Sequence, residues 1–179
     1  MAEEKEDFES KYLPEFVYGG IDGSVTTFAV VAGVMGASLS PAIVLILGFA
    51  NLFGDGFSMA ISNYLSTKSR VELRASKNID AGDDGKNPVK TGLATFFSFL
   101  IVGFIPLISF VLAIFVPLIQ KYQFPISMAL TGLAFLSIGA IKGRIVKKHF
   151  VLSAFETFLI GGIAAIIAFL VGHFLSMLV

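Results

Sequence analysis

The chain has no cysteine in its 179 residues. Disulfides, thiolate metal centres and thiol redox chemistry are thereby excluded, and cysteine usage carries no information about compartment. It has no tryptophan, against 19 phenylalanines. Charge is scarce: 15% of residues are charged, where a soluble domain carries about 25%. Lys plus Arg and Asp plus Glu are equal at 13 each, so no basic excess argues for nucleic acid. The opening MAEEKEDFESK is acidic and polar, unlike a cleavable signal peptide. No phosphate loop, zinc helix or nucleophile elbow is present, which disfavours the common enzyme classes.

What is abundant is apolar. Hydrophobic residues make up 55% of the chain and mean hydropathy is +0.84. Five apolar runs stand out, at about 16–39, 41–66, 91–119, 124–146 and 151–179. Each exceeds the ~20 residues that a helix needs to cross a bilayer. The runs are continuous rather than alternating, and a barrel of this length would need more segments, which argues against strands. The expected fold is therefore an all-α integral membrane protein of five transmembrane helices, residues 16–179, after a tail at 1–15. The connection near Ser38–Pro41 is so short that the first two helices must form an antiparallel hairpin. Pro106 and Pro117 fall in the third run, where they are tolerable and can kink it.

Five spans place the tail and the second and fourth connections on one side. That side holds Lys5, Lys11, Lys68, Arg70, Arg74, Lys77, Lys86, Lys90, Lys142, Arg144, Lys147 and Lys148. The other side has only Lys121. The positive-inside rule then predicts a cytoplasmic N terminus and a C terminus on the opposite face. In the cytoplasmic loop 67–90, the first part can extend the second helix, with Lys68 and Glu72 four residues apart. IDAGDDGKNP reads as a turn, and Asp80, Asp83 and Asp84 lack the spacing of a calcium loop. IKGRIVKKHF reads as an orientation anchor that anionic lipid can bind.

Against this background two acids are conspicuous, Asp22 and Asp55. A carboxyl at a membrane-helix centre costs about 2.5–3.5 kcal/mol on insertion scales, and such residues commonly serve ions or protons. In the second run Asn51, Asp55, Met59 and Asn63 recur every four residues, on one winding face, with Ser58, Ser62 and Ser66 beside them. Carboxylate and amide oxygens with a thioether suit a borderline transition metal; magnesium has no use for the sulfur. The alternative for Asn63 and Ser62 is interhelical hydrogen bonding. Thr26 shares a face with Asp22, and Glu15 lies two turns before it. The alternative for Asp22 is a helix cap beside YGG. Ala29, Gly33 and Ala37, like Gly139 and Gly143, are spaced for close helix approach. Glu156 is either part of a pathway or an interfacial partner of nearby lysines. His149 and His173 have no partner at ligand spacing.

These residues together resemble the vacuolar iron transporter family. The likeness rests on GGIDGSVTTFAVVAGVMGAS, FANLFGDGFSMAISNYLSTKS, IGAIKGR and SAFETFLIGGIAA, and covers most of the chain. It implies a five-helix protomer, a homodimer, and export of ferrous iron or manganese from the cytosol in exchange for protons. It places Asp22 at the first-span metal-binding aspartate and Met59 at the methionine of the Ser-Met pair. Many members have glutamate at the position of Asn51; here the acid comes one turn later, at Asp55. The plant carriers have a long Glu- and Met-rich insertion between spans two and three. This chain has a short loop with Glu72, the candidate there for admitting metal from the cytoplasm. The transport pathway expected is thus Asp22, Asp55, Met59 and Asn51, with Thr26, Asn63 and Glu156 as further members. No permanently bound cofactor is expected; metal, protons and lipid are the partners. The membrane would be vacuolar in a eukaryote and the cell membrane in a prokaryote. Two other readings remain. One is an intramembrane aspartyl enzyme using Asp22 and Asp55, although Leu52-Phe53-Gly54-Asp55 lacks the first glycine of Gly-x-Gly-Asp. The other is a structural membrane protein that transports nothing.

Overall fold

A computed structural model describes residues 2–77 and 85–178, with side chains from Lys11 onward. The turn containing Asp80, Asp83 and Asp84 lies outside the described residues. The chain forms α1 (Ala2–Gly36), α2 (Pro41–Ser76), α3 (Pro88–Gly103), a 3-10 turn (Ile105–Leu107), α4 (Ile108–Phe115), a single turn α5 (Pro117–Gln120), α6 (Gln123–Ile145) and α7 (Phe150–Ser176). Five stretches are long and apolar enough to cross a membrane: Lys11–Gly36, Pro41–Ser76, Pro88–Phe115, Gln123–Ile145 and Phe150–Ser176. The five-span expectation therefore matches the fold, with two differences. The tail is not separate, because α1 runs unbroken from Ala2 through Pro14. The third run is not one helix to residue 119. It breaks at Pro106 and stops at Phe115.

Both breaks have a local cause. Pro106 has no N–H to continue the ladder, and the chain passes it in a 3-10 turn. The Ser127 hydroxyl donates to the Pro106 carbonyl at 2.6 Å, and Ser109 donates to the Gln123 carbonyl at 2.6 Å. Neighbouring hydroxyls thus serve backbone that water cannot reach. Val116, forced out of the helical region by Pro117, sits at φ −123°, ψ 97° and ends α4. At the start of α3, the Asn87 side chain accepts from the N–H groups of Val89 and Lys90, with Pro88 in the first turn.

The α1–α2 hairpin closes by a Schellman arrangement. Leu39 N–H donates to Val34 O at 3.1 Å, and Ser38, at φ 56°, donates to Met35 O at 3.0 Å. Ser40 is extended and Pro41 starts α2 at once. At ~1.5 Å per residue, the 36 residues of α2 span about 54 Å, well beyond a ~30 Å hydrocarbon core. Its last turns, from about Lys68, therefore project from the membrane.

α1 is the central helix and packs on α2, α3, α6 and α7. Its core partners include Phe28, Val31 and Val34 against Val44 and Leu52 of α2, Phe99 of α3 and Phe110 of α4. Small residues set the spacing. A side chain at Gly103 would meet the Gly23 carbonyl at 2.8 Å, and one at Gly139 would meet Ala154 Cα at 2.7 Å. The YGGIDGS glycines are thus where α1 meets α3. Asp22 sits mid-helix and caps nothing. α2 and α7 lie outermost, with Phe53, Phe57 and Ile61 on one and Leu152, Ile166 and Phe174 on the other exposed. Such a surface suits lipid or another membrane helix.

Gly139→Val is expected to overpack the α6–α7 contact and destabilise by about 1–3 kcal/mol. Gly162→Val, where nothing lies within 4 Å, is the control and should leave thermal unfolding in detergent nearly unchanged. Equal stability of the two variants would remove the close-packing account.

Candidate functional site

The hairpin decides which residues meet. Asp22 lies 14 residues before Gly36, and Asp55 lies 14 residues after Pro41. Both are therefore about 21 Å from the turn along adjacent antiparallel helices, at one depth. Both residues are partly exposed in the single chain. The same counting pairs Thr26 with Asn51, ten residues from either end of the turn. The Asn51 amide donates weakly, at 3.4 Å, to the hydroxyls of both Thr26 and Thr27. Thr26 in turn donates to the Asp22 carbonyl at 2.8 Å. Met59 follows Asp55 by one turn and is half-buried against the core. Asn51, Asp55 and Met59 thus run for about 12 Å along α2 beside Asp22. This furnishes two carboxylates, an amide and a thioether, a donor set for a borderline divalent metal.

Other expected members fall elsewhere. The Asn63 amide donates to Thr95 on α3 at 2.6 Å, and so ties α2 to α3. Glu156 is exposed on α7 and faces Lys142 of α6 at 3.6 Å. Glu72 is exposed and pairs with Lys68 at 3.8 Å. It stands 17 residues from Asp55, about 25 Å along α2. His149 stacks on Phe150, and His173 lies near Phe169 and Phe174. Among the described residues no three His, Cys, Asp or Glu converge. Within one chain the described donors make a strip along two helices, unlike a closed storage site.

One residue has a larger structural part than its sequence position suggested. Glu15 is 8% exposed, and its Oε1 accepts from Lys86 Nζ at 2.8 Å. Its Oε2 is buried without a hydrogen-bond partner. The Tyr12 hydroxyl accepts from the Asn87 N–H at 3.0 Å, so this end of α1 is clasped to the start of α3. The seven-residue spacing from Glu15 to Asp22 was the available signal, since it puts both on one face. Its lysine partner, 71 residues away, left no pattern.

Lys86→Ala is expected to destabilise by up to about 3 kcal/mol, because a nearly buried carboxylate loses its partner. Adding Glu15→Gln to Lys86→Ala should restore part of that loss. Thermal unfolding of the two single variants and the double variant measures the coupling. Strictly additive effects would mean that the pair contributes nothing.

The profile of the VIT family matches residues 13–78 and 70–173, nearly the whole chain. The "Vacuolar iron transporter" of Plasmodium berghei (strain Anka) is 24% identical over 97% of this chain and 85% of its own length. That of Toxoplasma gondii is 27% identical over 95% of this chain and 76% of its own length. "Vacuolar iron transporter homolog 4" of Arabidopsis thaliana is 28% identical over 86% of this chain and 78% of its own length. The Plasmodium alignment spans 233 positions against 179 residues here, so that protein has segments this chain lacks. The chain is a multi-pass membrane protein and belongs to the VIT family, the family of the vacuolar iron transporters.

Proposed function

We propose that the chain is a proton-coupled metal transporter that moves ferrous iron or manganese out of the cytosol along the α1–α2 groove. The observation that carries this reading is the placement of Asp22 and Asp55 at one depth on adjacent helices, with Asn51 and Met59 a turn to either side. A metal needs deprotonated carboxylates, so loading it displaces the protons they hold. Unloading on the far side lets protons return, and exchange of metal for protons follows. The Met59 thioether favours iron and manganese over magnesium. The names of the relatives support iron as cargo.

Orientation and assembly belong to the same proposal. The basic loop ends put the N terminus in the cytoplasm. The chain acts as a homodimer, the second copy covering the outer face of α2. That face exposes Gly54, Ser58 and Ser62 beside Phe53 and Phe57, with Asp55 at its edge. Hydroxyls and a carboxyl at mid-membrane are better placed against a protein neighbour or water than against lipid. A partner there would bring a second Asp55 and Met59 to the same strip, which raises the donor number.

Asp55→Asn and Asp22→Asn are each expected to lower metal-driven proton movement in proteoliposomes at least tenfold, with the fold intact. Unchanged iron and manganese flux in both would end this mechanism. Met59→Leu should alter the ranking of iron, manganese, zinc and magnesium without abolishing flux. Since the chain has no cysteine, Ser58→Cys provides a clean probe of assembly. Cross-linking of Ser58→Cys between copies, with none for Ile166→Cys on α7, is the expected result. The reverse pattern would move the interface to α7.

A further inference from the structure

Two threonines of α1 decide how Asn51 faces the groove. An asparagine side chain ends in an acceptor oxygen and a donor nitrogen of similar size, and its surroundings choose between them. The Thr26 hydroxyl donates its proton to the Asp22 carbonyl at 2.8 Å. What it offers toward α2 is therefore a lone pair. An amide oxygen turned to it would meet no proton, so the Asn51 nitrogen turns there instead and donates at 3.4 Å. The Thr27 hydroxyl accepts from the same nitrogen at 3.4 Å. Thr27 is fully buried, at 0% exposure. An amide nitrogen carries two protons, and the two hydroxyls take up both.

With its nitrogen held by α1, Asn51 has its Oδ1 turned away from α1. Among the described residues nothing donates to that oxygen, and the side chain is only half-buried. Asn51 lies one turn from Asp55 on the same winding face, nearer the hairpin turn and so farther from the basic loops. Amide oxygens are ordinary ligands of divalent cations, and affinity follows the count of charged ligands. A neutral oxygen beside the acids therefore holds a metal without trapping it, and carries no proton to exchange. We infer that Thr26 and Thr27 are positioning residues for transport, which turn the Asn51 oxygen into the groove as the neutral ligand on the exit side of Asp22 and Asp55. This rests on the transport reading above. Thr27, being fully buried, is not placed to touch the metal and acts through Asn51. The same device recurs on α3, where the Thr95 hydroxyl donates to the Thr91 carbonyl at 3.0 Å and accepts from Asn63 at 2.6 Å. Asn63 is about 18 Å along α2 from Asn51, out of reach of a metal held there.

The test reads metal binding by the purified full-length chain, so it is independent of transport. Manganese(II) is titrated and the free ion is followed by its electron paramagnetic resonance signal. Asn51→Ala, Thr26→Val and Thr27→Val should each weaken binding roughly fivefold, the scale of one lost hydrogen bond. Thr27→Ser, which keeps the hydroxyl, should bind as the wild type does. A double-mutant cycle separates positioning from general damage. Adding either valine to Asn51→Ala should weaken binding no further. Thr95→Val should lower thermal stability and leave manganese affinity unchanged. Should Thr27→Val fail to fold, Thr26→Val, at a half-buried position, completes the cycle. Valine effects that add fully to Asn51→Ala, no effect of either valine, or an equal effect of Thr95→Val would overturn the positioning role and leave the carboxylate site standing. Manganese binding absent from the wild type, or unaltered by Asp55→Asn, would remove the transport reading and this role with it.

Discussion

The four residues between α1 and α2 set the register on which the candidate site depends. Hairpin closure leaves no slack: Leu39 and Ser38 bond back into α1, and Pro41 starts α2 immediately. Residues equally far from the turn must then lie at equal depth. This is why Thr26 meets Asn51 and why Asp22 and Asp55 share a level, although they are 33 positions apart in sequence. A longer, looser turn would allow the helices to slide and would separate the acids. With each acid costing about 2.5–3.5 kcal/mol at a membrane centre, that register has to be well determined.

Close approach around α1 supports the register from behind. Hydrophobic contact gives little drive between helices in lipid, so association rests on tight packing and interhelical hydrogen bonds. Gly23, Gly103 and Gly139 let backbones approach, while Asn63 to Thr95 and Ser127 to Pro106 add polar ties. The helices held this way leave one side of α2 uncovered, the side that carries Asp55 at its edge. Rigid packing behind and an open face in front are what the proposed pathway requires. A closed coordination cage would need convergent ligands, which the described residues of one chain do not provide.

The basic end is built differently. There α2 has left the hydrocarbon, charges can be hydrated, and ion pairs replace tight packing as the visible contacts. Glu15 with Lys86 and Tyr12 with Asn87 join α1 to α3 across 71 and 75 positions. The Arg70 and Arg74 face continues the same α2 helix whose middle carries Asp55. One rigid helix therefore links the charged surface to the acidic centre.

Hydropathy was enough to read the all-helical class and the five spans, because each span must satisfy its own backbone in lipid and so appears as one continuous apolar run. The four-residue stripe from Asn51 to Asn63 and the tight hairpin were legible for the same reason, since both are local. The course of the third span was less so: the two prolines were visible, but that the chain passes Pro106 in a 3-10 turn served by Ser127, while Pro117 ends α4, was not. The roles within the stripe were legible only in part: interhelical hydrogen bonding was the alternative read for Asn63, and it holds, but the partners of Asn51 and Asn63 left no pattern. Asn51 reaches α1 and Asn63 reaches α3 because α2 winds across two neighbours. The glycines around Asp22 looked like the start of a helix and proved to be the seat of α3. Sequence by itself determined what each segment is, because burial in hydrocarbon acts residue by residue. Only the tertiary structure decided which polar groups meet, because pairings such as Glu15 with Lys86 depend on how separate helices dock.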